Sequence, residues 1–175
     1  MEKKVKYLII GQGLVGTWLG YFLKQRNISF AIVNDSSTAS ATKVASQRLL
    51  ERAKRFVSAL RHCQVLGIAA HHASEEGITL VMPYAAHLVG DPQTGVIHGG
   101  ALTSLMDTAC GMATLCVLPE FEVCPTLDLR IDYMHPGQAD KAVYGQAQCY
   151  RVTRDVIFVR GCAYQDDPGE PIAQV

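Results

Sequence analysis

Thr94-Gly95-Val96-Ile97-His98-Gly99-Gly100-Ala101-Leu102-Thr103-Ser104-Leu105-Met106-Asp107 decides how this 175-residue chain is read. Two glycines after a histidine open an apolar segment, and from Ala101 to Leu118 the only charged residue is Asp107. Leu102, Leu105, Met106, Ala109, Cys110, Met112, Ala113 and Leu115 fall all round the axis, which predicts a helix buried on every side. A carboxylate inside such a helix is costly unless it is hydrogen-bonded or put to use. A neighbouring hydroxyl or backbone amide would satisfy it without any chemistry. The helix start argues for chemistry, because Gly99 and Gly100 are expected to leave N–H groups bare at its positive end. That setting suits a developing oxyanion.

Downstream, Leu127, Leu129, Ile131 and Tyr133 alternate with Asp128, Arg130 and Asp132, the period-two pattern of a half-buried strand. Pro136-Gly137 turns the chain. Residues 142–152 and 156–165 read as two long strands joined at Thr153-Arg154-Asp155, and residues 172–175 begin another. Upstream, Leu49, Leu50, Ala53, Phe56, Val57 and Leu60 recur at helical steps, which predicts an amphipathic helix of about four turns from Gln47. Residues 63–70 read as a short strand and 78–83 as another. Residues 84–97 read as a loop with turn signals at Gly90-Asp91-Pro92 and Gly95. Strands around one long buried helix define an α+β domain.

His98-Gly99-Gly100 with Asp107, followed by residues 126–136 (TLDLRIDYMHP), resembles the hotdog-fold acyl-CoA thioesterases of the phenylacetate-pathway type. The resemblance covers residues 49–175. It implies a hotdog fold, an antiparallel sheet wrapped around a long central helix, and active sites at a dimer interface. By that resemblance Asp107 is the general base for water or the nucleophile itself, the Gly99 amide polarises the thioester carbonyl, and Thr126 positions water. The family's last strand runs a few residues further, so a truncated edge is expected at Val175. Relatives often place Asn six residues before the histidine, where this chain has Pro92 beside Asp91. Asp91 and Gly100 are carried as substrate-binding candidates, although an Asp-Pro turn explains Asp91 equally well. His98 either polarises a carbonyl or braces the loop.

Helix geometry bears on the mechanism independently. Gly99 and Asp107 are eight positions apart, so about 12 Å along the axis. Hydrolysis needs oxyanion donor and attacking group about 3 Å from one carbon. Two copies of the chain, one giving Gly99 and the other Asp107, would meet that demand, so a homodimer or a dimer of dimers is expected.

Residues 1–46 read differently. An apolar strand at 5–10 leads into Gly11-Gln12-Gly13-Leu14-Val15-Gly16, then a helical pattern through Trp18, Leu19, Phe22 and Leu23. A second strand follows at 29–33, and Asp35 lies near the spacing of a ribose-binding acid. This fingerprint (Gly11, Gly13, Gly16, Asp35) resembles the amino-terminal edge of flavin-dependent oxidoreductases. No alternating strand–helix pattern follows Ser46 to complete a Rossmann-type site, so a partial β-α-β fragment is expected, with no bound FAD and no other cofactor. The domains are therefore 1–46 and 47–175.

Composition closes off other classes. Sixteen basic residues balance sixteen acidic ones, which gives no field for nucleic acid or anionic lipid. No apolar run approaches a membrane span, and no signal peptide is read. Cysteines 63, 110, 116, 124, 149 and 162 form no C-x-x-C pair and suit reduced thiols in the cytoplasm. His62, Cys63, His71 and His72 lack convergent partners for a metal. Residues 166–171 form an acidic turn without the alternating oxygens of a calcium loop. Arg151, Arg154 and Arg160 are candidates for coenzyme A phosphates, or plain strand-end charges. Acyl-CoA is the expected partner. The alternatives are an FAD- or NAD-dependent oxidoreductase fragment and a non-catalytic acyl-CoA-binding hotdog protein.

Overall fold

The computed structural model describes residues 7–10, 25–26, 30–33, 41–118, 120 and 122–175. The chain divides into two compact units, Met1–Gln47 and Arg48–Val175. In the first, strands β1 (Tyr7–Ile10) and β2 (Phe30–Val33) pair in parallel, with Tyr7 opposite Phe30 and Ile10 opposite Val33. Gly11, Gly13, Gly16, Asp35 and the helical pattern between the strands lie outside the described residues.

Helix α1 (Ala41–Ala59) begins six residues before the expected start at Gln47. Nothing in Ala41–Ser46 breaks a helix, since that run holds neither glycine nor proline. In the second unit its stripe is used as read. Ala53 and Val57 are buried, and Leu49, Leu50 and Phe56 pack against the same core. The next stretch corrects the expected strand at 63–70: Arg61–Leu66 is a second helix, α2. Its apolar residues are too few for periodicity to separate helix from strand. Gly67 ends it in the left-handed region (φ 69°), its N–H reaching the carbonyls of Cys63 and Gln64.

Strands β3 (Ala69–Ser74) and β4 (Gly77–Met82) form a hairpin. The expected loop at 84–97 carries a 3-10 turn (Ala86–Leu88) and a small hairpin, β5 (Val89–Asp91) with β6 (Val96–Ile97). Helix α3 (Gly99–Ala113) follows, then a 3-10 turn at Thr114–Cys116. Beyond it come β7 (Asp132–Tyr133), β8 (Val143–Val152), β9 (Ile157–Tyr164) and β10 (Ala173–Gln174). The sheet order is β3-β4-β8-β9-β10-β7, antiparallel throughout.

One expectation changes here. Among the described residues the alternating run at 127–133 enters the sheet only at Asp132–Tyr133, and Leu127 is 79% exposed. Leu129 and Ile131 are half-buried between exposed Asp128, Arg130 and Asp132, and Ile131 packs against the core, so the alternation persists there without a ladder. β10 lies between β9 and β7, and Val175 exchanges backbone hydrogen bonds with Gly161 at 2.9 and 3.0 Å.

α3 crosses the inner face of β4, β8 and β9. Leu105, Met106 and Ala109 are fully buried. Gly145 makes the close approach possible: a Cβ there would lie 2.9 Å from Leu105 Cγ and 3.2 Å from Met106 Sδ. Gly145→Ala should therefore destabilise the Arg48–Val175 unit by about 1–3 kcal/mol through overpacking, read as a lower midpoint in urea unfolding. An unchanged midpoint would mean that α3 is less tightly seated than these contacts require.

Candidate active site

The chain reaches α3 through the β5–β6 hairpin, and Asp91 builds its turn. Asp91 Oδ1 accepts the Gln93 N–H at 3.0 Å, and Oδ2 accepts the Thr94 hydroxyl at 2.7 Å. The Thr94 bond first, then the Gln93 amide, holds this carboxyl below the usual carboxylate range. Both oxygens serve the turn, which accounts for Asp91 without a ligand. Gly95, at φ 73°, closes the turn through its N–H to the Asp91 carbonyl at 2.8 Å.

His98 caps α3. Its own N–H donates to the Leu88 carbonyl at 2.8 Å, and its Nδ1 accepts the Gly100 N–H at 2.9 Å. In the neutral ring that assigns the proton to Nε2. Gly90 is required beside it, since a Cβ there would lie 2.9 Å from His98 Cα. The histidine thus braces the helix start. It also corrects the expectation of two bare amides, because the Gly100 N–H is taken by the imidazole. The Gly99 N–H has no partner among the described residues.

Asp107 lies two turns further along, and the helix is not buried all round. Ala101, Leu102, Leu105, Met106, Ala109, Met112 and Ala113 form the buried side. Thr103, Ser104, Asp107 and Thr108 form a half-buried polar side. Three of those hydroxyls bond back to carbonyls four residues earlier, at 2.7–3.0 Å. Asp107 instead receives the Thr126 hydroxyl on Oδ1 at 2.7 Å. The structure therefore joins Thr126 to Asp107 and places Gly99 at the far end of the same polar side.

Sequence reasoning missed Tyr133 and Thr103. The Tyr133 hydroxyl donates to the Gly99 carbonyl at 2.9 Å and lies 2.7 Å from Thr103 Oγ1. The available signals were the alternation that ends at Tyr133 and the four-residue step from Gly99 to Thr103. Other candidates are scattered. His62 Nε2 lies 3.1 Å from Ser104 Oγ, and His71 packs edge-on against Tyr144. His72 is exposed on β3. Arg154 pairs with Asp155, and Arg160 lies over the Tyr150 ring. Among the described residues no three His, Cys, Asp or Glu side chains are grouped as metal ligands.

Residues 94–172 match the family model described as Thioesterase superfamily. Sheet, central helix and this match together give the Arg48–Val175 unit the hotdog fold of that superfamily. A crystal structure of a Pseudomonas aeruginosa protein is 67% identical with a TM-score of 0.67, covering 72% of this chain and 93% of that one. The PaaI protein of the phenylacetic acid degradation operon of Escherichia coli shares the fold at 20% identity and a TM-score of 0.64, over 74% of this chain and 90% of that one. A Halobacterium salinarum protein that carries a provisional esterase name is 35% identical over 78 residues, 43% of this chain. The chain spans about half of that relative's length, 52%. The medium/long-chain acyl-CoA thioesterase YigI of Escherichia coli is 27% identical over 117 residues, 58% of this chain and 74% of that one.

The thiol nearest the candidate base is suppressed. Burial first, then the Asp107 charge and the Cys149 thiol, push Cys110 up to about 12. Burial and Cys149 push Cys116 up to about 11. At pH 8 both stay protonated, so iodoacetamide should label Cys116 about a hundredfold and Cys110 about a thousandfold more slowly than in the unfolded chain. Labelling should accelerate as the pH rises towards 11, followed by peptide mass. Equal folded and unfolded rates at pH 8 would contradict this burial.

Proposed function

We propose that the Arg48–Val175 unit hydrolyses acyl-CoA thioesters to free acid and coenzyme A, at a site shared between two copies of the chain. The observation that carries this reading is the Thr126–Asp107 hydrogen bond of 2.7 Å on the polar side of α3, on the same helix as the Gly99 N–H, which has no partner among the described residues. Asp107 Oδ2 takes a proton from the attacking water and passes it to the departing sulfur, or attacks the thioester carbon itself to form an acyl anhydride. A water then hydrolyses that anhydride to the free acid, whose proton goes to the thiolate. Gly99 donates to the oxyanion of the tetrahedral intermediate, whose collapse breaks the C–S bond and releases the thiol of coenzyme A. Thr126, donating to Asp107 Oδ1, fixes the carboxylate and leaves its lone pairs for the water.

The second copy follows from distance, since Gly99 and Asp107 of one helix are about 12 Å apart along the axis. The open strand edge supports self-association. β7 is the outer strand; Met134, next to it, is 57% exposed, and Val123 and Leu127 in the segment leading to it are 70% and 79% exposed. Such apolar exposure beside an unpaired edge suits pairing with a like edge. The name of YigI makes medium- and long-chain acyl-CoAs the first substrates to try. The cysteines are free thiols, which suits a cytoplasmic site of action. No helix among the described residues is long and apolar enough to cross a membrane. Residues 1–46 act, in this reading, as a partial dinucleotide-binding-like fragment without a cofactor, so the purified chain is expected to show no flavin absorbance. Pro92, where the family resemblance implies Asn, favours one rival, a hotdog protein that binds acyl-CoA without turnover.

Release of free thiol from a panel of aliphatic and aryl acyl-CoAs tests the reading. Asp107→Asn keeps the shape and should lower kcat by about two to four orders of magnitude. Thr126→Val should cost about tenfold, the loss of one hydrogen bond to a charged group. An Asp107→Asn chain with the full wild-type rate would remove Asp107 from the chemistry. Binding of acyl-CoA with no thiol released by the wild type would leave the non-catalytic reading.

A further inference from the structure

Tyr133 stands on the outer strand of the sheet, yet its hydroxyl reaches the first turn of α3. It donates to the Gly99 carbonyl at 2.9 Å and lies 2.7 Å from Thr103 Oγ1, which is itself 3.0 Å from the same carbonyl. Two hydroxyl protons thus serve three converging oxygens: one reaches the carbonyl, and the other closes the contact between the hydroxyls or adds a second bond to the carbonyl. The phenol also covers the glycine, because a Cβ on Gly99 would lie 3.2 Å from its oxygen and 3.3 Å from Cζ.

The opposite side of the same peptide is held as well. The Gly99 carbonyl and the Gly100 N–H belong to one planar peptide group. Its oxygen is fixed by Tyr133 and Thr103, and its N–H by His98 Nδ1 at 2.9 Å. On the other flank, His98 is tied through its own N–H to Leu88 at 2.8 Å and backed by Gly90. The Gly99 N–H lies between these two anchored peptide groups, so its direction is set by them.

We infer that Tyr133 is a positioning residue: its hydroxyl, with that of Thr103, locks the Gly99–Gly100 peptide and so aims the Gly99 N–H at the thioester oxygen. This rests on the thioesterase reading, in which Gly99 is the oxyanion donor. A donor held before the reaction begins needs no reorganisation as charge develops. Tyr133 therefore acts on the transition state and leaves ground-state binding alone. The outer strand of the sheet and the oxyanion end of the helix become one mechanical unit.

Tyr133→Phe retains the ring and removes the hydroxyl. It should lower kcat for the best acyl-CoA about three- to tenfold, with KM within about twofold of wild type. Adding Thr103→Val should lower kcat further, because neither hydroxyl is then left to hold the Gly99 carbonyl. Independently of turnover, the amide resonances of Gly99 and Gly100 should shift in Tyr133→Phe, and the Gly99 amide should exchange faster with solvent. A higher KM with unchanged kcat would make Tyr133 a substrate contact instead. Unmoved amides in both Tyr133→Phe and Thr103→Val would overturn the inference. If the wild type releases no thiol from any acyl-CoA, the proposed function falls, and the amide measurements still decide whether Tyr133 holds Gly99. Should Tyr133→Phe fail to fold, Thr103→Val alone removes the contact from the helix side, and unmoved amides there would overturn the inference.

Discussion

Leu105 and Met106, seated against Gly145 and Gly161, set the distance between the central helix and its sheet. A Cβ at Gly145 would crowd Leu105, and one at Gly161 would lie 3.1 Å from Met106 Cε. Glycine is costly in a strand interior, since it gives up side-chain packing and loses more entropy on folding. Two of them on adjacent strands, Gly145 beneath Leu105 and Met106 and Gly161 beneath Met106, exchange that cost for a close helix-on-sheet contact. Dense packing of this kind leaves little room for the helix to slide. The positions of Gly99 at one end and Asp107 two turns on therefore follow from the core.

The polar side of α3 carries what the core leaves free. Its hydroxyls satisfy themselves on carbonyls of the same helix, and the carboxylate takes an outside partner, Thr126. At the N-terminus the histidine cap uses one of the two glycine amides and leaves the other open. Capping and oxyanion stabilisation draw on the same first-turn N–H groups. Here the cap takes the Gly100 N–H, and the Gly99 N–H, without a partner among the described residues, is the one left for the proposed oxyanion.

Much of this was legible in the residues, and the failures have physical causes. The strands on either side of Thr153-Arg154-Asp155 were readable because alternation and turn residues agree there; β8 and β9 pair across that turn. The apolar stripe of α1 was readable because its inward residues recur at helical steps. Arg61–Leu66 was misread, since six residues do not show a period and only Gly67 marks the stop. The run at 127–133 carries the alternation of a paired strand, but one chain supplies pairing only at Asp132–Tyr133. Asp107 was found because one charge stands out in an apolar helix, and its half-exposed setting could not be read from that pattern. Tyr133 was missed because its partner on Gly99 is a backbone carbonyl, and no side-chain spacing reports such a contact.

A site shared between copies is tested most directly by mixing two damaged chains. Asp107→Asn removes the proposed base. Gly99→Pro removes the proposed oxyanion N–H at the first helical position, where the backbone accepts proline, but its Cβ would press on the Tyr133 phenol, so this variant must first be shown to fold and self-associate. Each alone should be nearly inactive, the second by about a hundred- to a thousandfold. After subunit exchange, half of the dimers are mixed, with one of their two sites carrying no lesion. Thiol release should then return to about a quarter of the wild-type rate. If mass measurement confirms mixed dimers and no activity returns, Gly99 and Asp107 of different chains do not form one site.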